Sequence, residues 1–248
     1  MNMLADFSEL APAYDAGRRG YPDPVVDMVA QEVRRKVRKK QLVLDLGAGT
    51  GIAFGELKRR GVPMIGCDIS YPMVSSPLAY SRMGRRAVVG AAASLPFASE
   101  VFTSGVSFGA FHWFSDRGSC TEIGRVVARG GCFCVVHKTY EDDLSHAVSS
   151  LFERYTGALS GKSDYNPVGA LASCGFGPIK VANFPCQETY SIEELVAYYR
   201  SVSRWRLVKS CDREPFLYEL CELAHRERTG SLVVRDLDIS IVVAAKPK

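Results

Sequence analysis

Between Leu42 and His137 the chain alternates short apolar runs with stretches of helical spacing. Leu42 to Leu46, Met64 to Cys67, Ala87 to Val89, Gly105 to Phe108 and Cys132 to His137 read as strands. Ile52 to Arg60, Met73 to Met83 and Ser119 to Ala128 read as helices between them. Strand and helix in alternation predict successive βαβ units and a parallel sheet, an α/β fold. Gly130-Gly131 supplies the tight turn into the last of these strands. Upstream, Asp23 to Lys39 predicts a helix with Val25, Val26, Val29, Val33 and Val37 on one side. Downstream come helices from Glu141 to Ala158, Pro167 to Ser173, Ile192 to Arg200 and Glu214 to Arg226, with strands from Ile179 to Phe184 and Asp238 to Ala244. Ser191 followed by Glu193 and Glu194 marks a helix start. The helices between the two late strands form an insertion expected to cap the ligand edge of the sheet.

Composition narrows this picture modestly. A chain of 248 residues, 47% hydrophobic, most economically forms one α/β domain with an elaboration. The expected division is an N-terminal helical lid over 1–40, a cofactor-binding core over 41–140, and substrate-side helices with the last two strands over 141–248. A net charge of +4 falls short of a dedicated nucleic-acid binder. The basic run from Arg34 to Lys40 reads as a solvated helix end whose cations complement the helix dipole. Eight cysteines occur without a CxxC pair, and Cys132 and Cys134 have strand spacing, so reduced thiols in the cytoplasm are expected, with no metal site. The N-terminus shows no secretory signal pattern, and no apolar run approaches the roughly 18 residues of a membrane span. The expectation is a cytoplasmic protein acting on a small molecule, not on nucleic acid or membrane.

The chemistry concentrates in Val43-Leu44-Asp45-Leu46-Gly47-Ala48-Gly49-Thr50-Gly51. An apolar strand ends in an acid, and the turn that follows carries glycine at every second position. Such a turn brings backbone N–H groups and a helix N-terminus to a ligand. Asp45 would repel a bare pyrophosphate and attract an ammonium group. After the second strand comes Asp68, where a carboxylate can accept two hydrogen bonds from a ribose diol. Residues just beyond strand ends are where an open parallel sheet binds ligands. Nicotinamide enzymes share these features, but their G-x-G-x-x-G spacing differs from Gly47, Gly49 and Gly51.

With these motifs, the chain resembles the class I S-adenosylmethionine-dependent methyltransferases, in the small-molecule branch of trans-aconitate methyltransferase-like proteins. Gly66-Cys67-Asp68-Ile69-Ser70, Leu95-Pro96-Phe97 and Phe111-His112-Trp113-Phe114 extend the likeness. So do Tyr14-Asp15 with Arg18, Tyr21-Pro22, and Tyr190 to Leu195 running on to Ser201 and Ser203. The resemblance implies a Rossmann-like, seven-stranded, mostly parallel sheet with helices on both faces, a C-terminal antiparallel strand and a helical lid. It also implies S-adenosylmethionine bound along Asp45, Gly47, Ala48, Gly49, Thr50 and Gly51. Asp45 would hold the methionine end and Asp68 the ribose; Ile69 and Met73 would flank the adenine, which backbone at Ala91 and Ala92 would read. Ser107 and Phe108 would line the site beneath the sulfonium. Two departures stand out: relatives commonly carry an acid where this chain has Ala91, and an aspartate where it has Thr103.

Methyl transfer is a direct displacement, so positioning supplies most of the catalysis. His112, just after the fourth strand, is the candidate base for an acceptor that must lose a proton, with His137 behind it. Tyr14, Tyr21, Phe111 and Trp113 are candidate aromatic walls near the sulfonium. For a carboxylate acceptor, undergoing O-methylation, Arg18 is the first candidate anchor; Arg204 and Arg206 are alternatives, with Trp205 walling the pocket. Two other readings compete. A nucleic-acid methyltransferase would rest on the basic helix tail alone. A non-catalytic, S-adenosylmethionine-binding regulator would rest on Ala91 and Thr103. The oligomeric state is not legible.

Overall fold

A computed structural model describes residues 11–34, 41–158 and 165–248. The expected basic helix tail at 35–40 lies outside the described residues.

Five strands run parallel: β1 (Val43–Leu46), β2 (Met64–Asp68), β3 (Ala87–Val89), β4 (Ser104–Phe108) and β5 (Cys132–Tyr140). With β6 (Ile179–Tyr190) and β8 (Leu232–Ala245) the order is β3-β2-β1-β4-β5-β8-β6, and the short β7 (Arg228–Thr229) pairs antiparallel with β8. This is the Rossmann-like, mostly parallel sheet with an antiparallel C-terminal strand. The two-residue β7 adds an eighth strand to the seven expected. Chain order reverses at β1, which pairs with β2 through Asp45 and Gly66 and with β4 through Asp45 and Val106. Asp45 therefore sits at the switch point of the sheet, where a crevice opens beyond the strand ends.

The chain divides into two compact units, and several strands carry residues of both. The larger contains residues 20–137, 165–184 and 239–248. Its core gathers Leu44, Leu46, Phe102, Phe111, Ile123, Phe133, Val135 and Val242. Helix α2 (Asp23–Arg34) buries Val25, Val26, Val29 and Val33, the spacing of one helical face. After the glycine turn comes α3 (Ile52–Arg59). The single helix expected from Met73 to Met83 is two, α4 (Tyr71–Val74) and α5 (Pro77–Met83). Ser76 before Pro77 is extended, because a proline ring disfavours helical backbone in the residue before it. The Ser76 hydroxyl then caps α5. Helix α6 (Arg117–Val126) starts at Asp116, whose carboxylate accepts the Ser119 N–H, and α8 (Pro167–Ser173) starts at Asn166.

The smaller unit, among described residues, comprises 11–19, 138–158 and 185–238. Helices α7 (Asp143–Thr156), α9 (Ile192–Arg200) and α10 (Arg213–Glu227) bury Leu144, Val148, Leu195, Phe216 and Leu220 in one cluster. A capping box closes the start of α9: the Ser191 hydroxyl accepts the Glu194 N–H while Glu194 accepts the Ser191 N–H. Helix α1 (Ala11–Gly17) packs on α9 so closely that a Cβ on Gly17 would lie 2.4 Å from the Ala197 carbonyl carbon. β8 begins six residues before the expected Asp238. Its first half alternates exposed and buried positions, but one buried position is Arg235, which masks the apolar alternation. Arg235 donates to both carboxylate oxygens of Asp142, to the Ser145 hydroxyl and to the Tyr199 hydroxyl.

Candidate active site

The glycine turn is pinned to the end of β2. The N–H groups of Gly47 and Ala48 both donate to the Cys67 carbonyl, at 2.8 and 3.2 Å. Gly47, Gly49 and Gly51 have φ of +75, +53 and +78, the left-handed region that only glycine enters without strain. Their bare Cα atoms also make room for the chain itself. A Cβ on Gly47 would come 2.4 Å from Cβ of Ala110, and one on Gly51 would come 2.9 Å from Met83. A Cβ on Gly49 would meet the Met73 methyl at 3.3 Å. The spacing that suggested ligand access thus also serves packing beneath the turn. Thr50 is buried and held by Arg82, which donates to its carbonyl and hydroxyl oxygens.

Two carboxylates face this turn from adjacent strands. Asp68 accepts the Gly49 N–H at 2.9 Å on one oxygen and the Ser70 N–H at 2.8 Å on the other. Those bonds fix the carboxylate and leave each oxygen a further lone pair for a diol. Asp45 is buried, and its Oδ2 has no hydrogen-bond partner among the described residues. Burial first, and the charge of Asp68 second, push the Asp45 carboxyl up to about 7. Burial likewise raises Asp68, against the opposing N–H bonds from Ser70, Gly49 and Ile69. A buried acid with an unmet acceptor oxygen suits an incoming ammonium donor, so the residues present fit the amino-acid end of S-adenosylmethionine.

The segments expected to border the adenine are built differently. Ile69 is 52% exposed at the end of β2, whereas Met73 is buried. Ala91 and Ser94 form an isolated bridge, and the Ser94 N–H donates to the Ala91 carbonyl at 3.0 Å. This tight turn holds Ala91, and Ala92 lies half-buried within it. Helix α6 holds the next segment: Glu122 accepts the Leu95 N–H, while Arg125 pairs with Glu122 and donates to the carbonyls of Leu95 and Phe97. Sequence reading missed this clasp, because two charged residues on a helix look like solvated surface. Thr103 has a structural role, exchanging hydrogen bonds with Leu42 ahead of β1.

At the ends of β4 and β5 the side chains change character. Ser107 is buried with its hydroxyl lacking a partner among the described residues, and Phe108 follows it. Tyr21 packs edge-on against Phe108 with ring centres 4.8 Å apart. Phe111–Trp113 form one turn of 3₁₀-helix that presents His112 and Trp113, their rings 4.7 Å apart. His137 lies 5.7 Å from His112, and Tyr165, which the sequence reading did not single out, lies 5.1 Å from His137 and 5.9 Å from His112. The larger unit thus brings together Asp45, the glycine turn, Asp68, Ser107, Phe108, Tyr21, His112 and Trp113.

The remaining candidates belong to the smaller unit. Arg18 lies over the rings of Tyr14 and Tyr198, at 5.1 and 4.8 Å, and donates to the hydroxyl and carbonyl of Ser201. Arg204 donates to Ser149 and to the Ala158 carbonyl and covers Phe152. Trp205 is 6% exposed, packed against Phe216 in the helical core, so here the indole is a core group of that unit. Lys138, Tyr140 and Tyr190 all donate to Glu188, each at 2.6 Å. Among the described residues no group of three or more His, Cys, Asp or Glu is placed to hold a metal, and no helix is long and apolar enough to cross a membrane.

Residues 44–135 match the family model described as a methyltransferase domain. An uncharacterised methyltransferase-like protein of Schizosaccharomyces pombe is 25% identical over 89% of this chain and 86% of its own length. A demethylmenaquinone methyltransferase of Corynebacterium kroppenstedtii is 32% identical over 50% of this chain; the match spans 57% of that relative. Among solved structures, phosphoethanolamine N-methyltransferase 2 of Haemonchus contortus, in complex with phosphomonomethylethanolamine and S-adenosylhomocysteine, superposes with a TM-score of 0.58. That match has 16% identity and covers 99% of this chain and 60% of that one, which shows the shared fold. Residues 44–135 are a methyltransferase domain, and the protein is an S-adenosylmethionine-dependent methyltransferase with a Rossmann-like fold.

Proposed function

We propose that the protein methylates a small organic acceptor whose reacting atom lies over the ends of β4 and β5, with His112 as the base. The observation that carries this reading is the convergence of His112, Trp113, His137, Tyr21 and Phe108 at those two strand ends, in the unit that holds the glycine turn. Bound S-adenosylmethionine supplies a methyl group on a sulfonium, whose sulfur is a ready leaving group. Asp45 accepts the ammonium of the methionine end and Asp68 the ribose hydroxyls. The Gly47–Gly51 turn gives the backbone surface, and Ile69 and the Ala91–Ala92 turn border the adenine. Tyr21 and Phe108 exclude water from the reacting atoms, and His112 takes the acceptor's proton. The relative named a demethylmenaquinone methyltransferase also carries a small-molecule acceptor in its name.

Carboxylate O-methylation is the second reading. It is favoured by Arg18, whose guanidinium is held ready by two tyrosine rings and Ser201. An ionised carboxylate needs no base, so the two readings separate on one variant. Incubating the protein with S-adenosylmethionine and pooled phenols, amines and carboxylates, and following S-adenosylhomocysteine release, identifies the acceptor class. His112→Ala is expected to lower turnover of a hydroxyl acceptor by about 10²-fold or more. Unchanged turnover in His112→Ala, with loss in Arg18→Ala, would favour the carboxylate.

A further inference from the structure

Tyr165 presents an unmet need. Its phenol oxygen is covered and has no hydrogen-bond partner among the described residues. Its ring packs against His137, His112 and Phe111, at 5.1, 5.9 and 6.5 Å. A buried hydroxyl left without a partner costs about 1 to 3 kcal/mol, and a fold seldom carries that cost at a position that could be phenylalanine. Burial also raises its pKa, so at neutral pH the group is an O–H donor seeking an oxygen. Phe111 is buried beneath it, whereas His112 and His137 are half-buried and leave ring edges that a planar guest could cover. His112 and Trp113, whose rings pack together, follow the end of β4, and His137 lies in the second half of the neighbouring β5.

We propose that Tyr165 is a specificity-determining residue, whose hydroxyl binds the oxygen of a phenolic acceptor inserted against the His112, Trp113 and His137 rings. The proposal rests on the reading that the acceptor lies over β4 and β5, and it narrows that acceptor to a ring compound bearing a hydroxyl. Tyr165 holds the acceptor oxygen while an imidazole receives the proton, so Tyr165 positions and selects without itself changing protonation. A site built to bond an oxygen rejects an analogue that lacks it, since the phenol is then left unsatisfied.

The test uses the full chain saturated with S-adenosylhomocysteine and two probes of similar shape, 2-naphthol and 2-methylnaphthalene. The wild type is expected to bind 2-naphthol about tenfold more tightly. In Tyr165→Phe that preference should fall below about twofold, with S-adenosylhomocysteine affinity unchanged and the thermal midpoint equal or higher. Retention of the preference in Tyr165→Phe overturns the proposal. So does a wild type that shows no preference or binds neither probe. A lowered thermal midpoint in Tyr165→Phe also overturns it, because the hydroxyl would then be supporting the fold. Failure of the wild type to bind S-adenosylhomocysteine would instead overturn the cofactor assignment beneath it.

Discussion

Asp45 holds the sharpest residue-scale consequence, because burial sets its carboxyl at about 7 while an unfolded chain would release the proton near 3.8. The folded state therefore binds that proton more tightly. The stability linked to it is fully present below about pH 4 and is lost as pH rises through about 7. Asp45→Asn should remove this loss, so thermal melts should show the variant gaining on the wild type between pH 5 and pH 8. Ligand binding runs the other way, since an ammonium favours the ionised carboxylate. Wild-type affinity for S-adenosylhomocysteine should tighten between pH 6 and pH 7.5; Asp45→Asn should bind at least tenfold more weakly and lose that slope, read by calorimetry. Asp68→Ala should weaken binding by about 10²-fold, since it removes the diol acceptor and frees the Gly49 and Ser70 N–H groups that shape the turn. The placement of Asp45 and Asp68 beside the glycine turn was legible from strand ends and spacing. The orphaned oxygen of Asp45 was not, because burial is a property of the assembled sheet.

At the scale of elements, the strands of the larger unit were legible because each is an apolar run bounded by turn residues. The α4–α5 break was also written in the chain, in Pro77 after two serines, but helical periodicity across Met73 to Met83 obscured it. β8 was half hidden by Arg235, and that residue defines the next test. With Asp142 as its partner, Arg235 is a buried cation satisfied on several sides. Asp142→Ala should destabilise the smaller unit by about 3 to 5 kcal/mol, seen as a lower denaturation midpoint, because it strands that charge. The α6 clasp gives a gentler perturbation: Glu122→Gln should increase amide exchange at Leu95, where the carboxylate now accepts the N–H. Such long-range partners, 27 positions apart, leave no periodic trace in sequence.

For the whole molecule, the order β3-β2-β1-β4-β5 places Asp68, Asp45 and Ser107 on three consecutive strands around one switch point, with His112 in the turn just beyond β4. That topology gathers residues scattered from 45 to 137 along one edge of the sheet, an arrangement the glycine turn alone does not reveal. The acceptor side proposed for this protein rests on the His112, His137 and Tyr165 rings, whose meeting follows from tertiary packing. The central claim is that the turn and its two carboxylates bind S-adenosylmethionine and not a nicotinamide dinucleotide. Titration of the protein with each at pH 7.5, followed by calorimetry, tests it directly. A saturable one-to-one heat with S-adenosylmethionine and none with NAD is predicted; binding of NAD without S-adenosylmethionine would contradict the account.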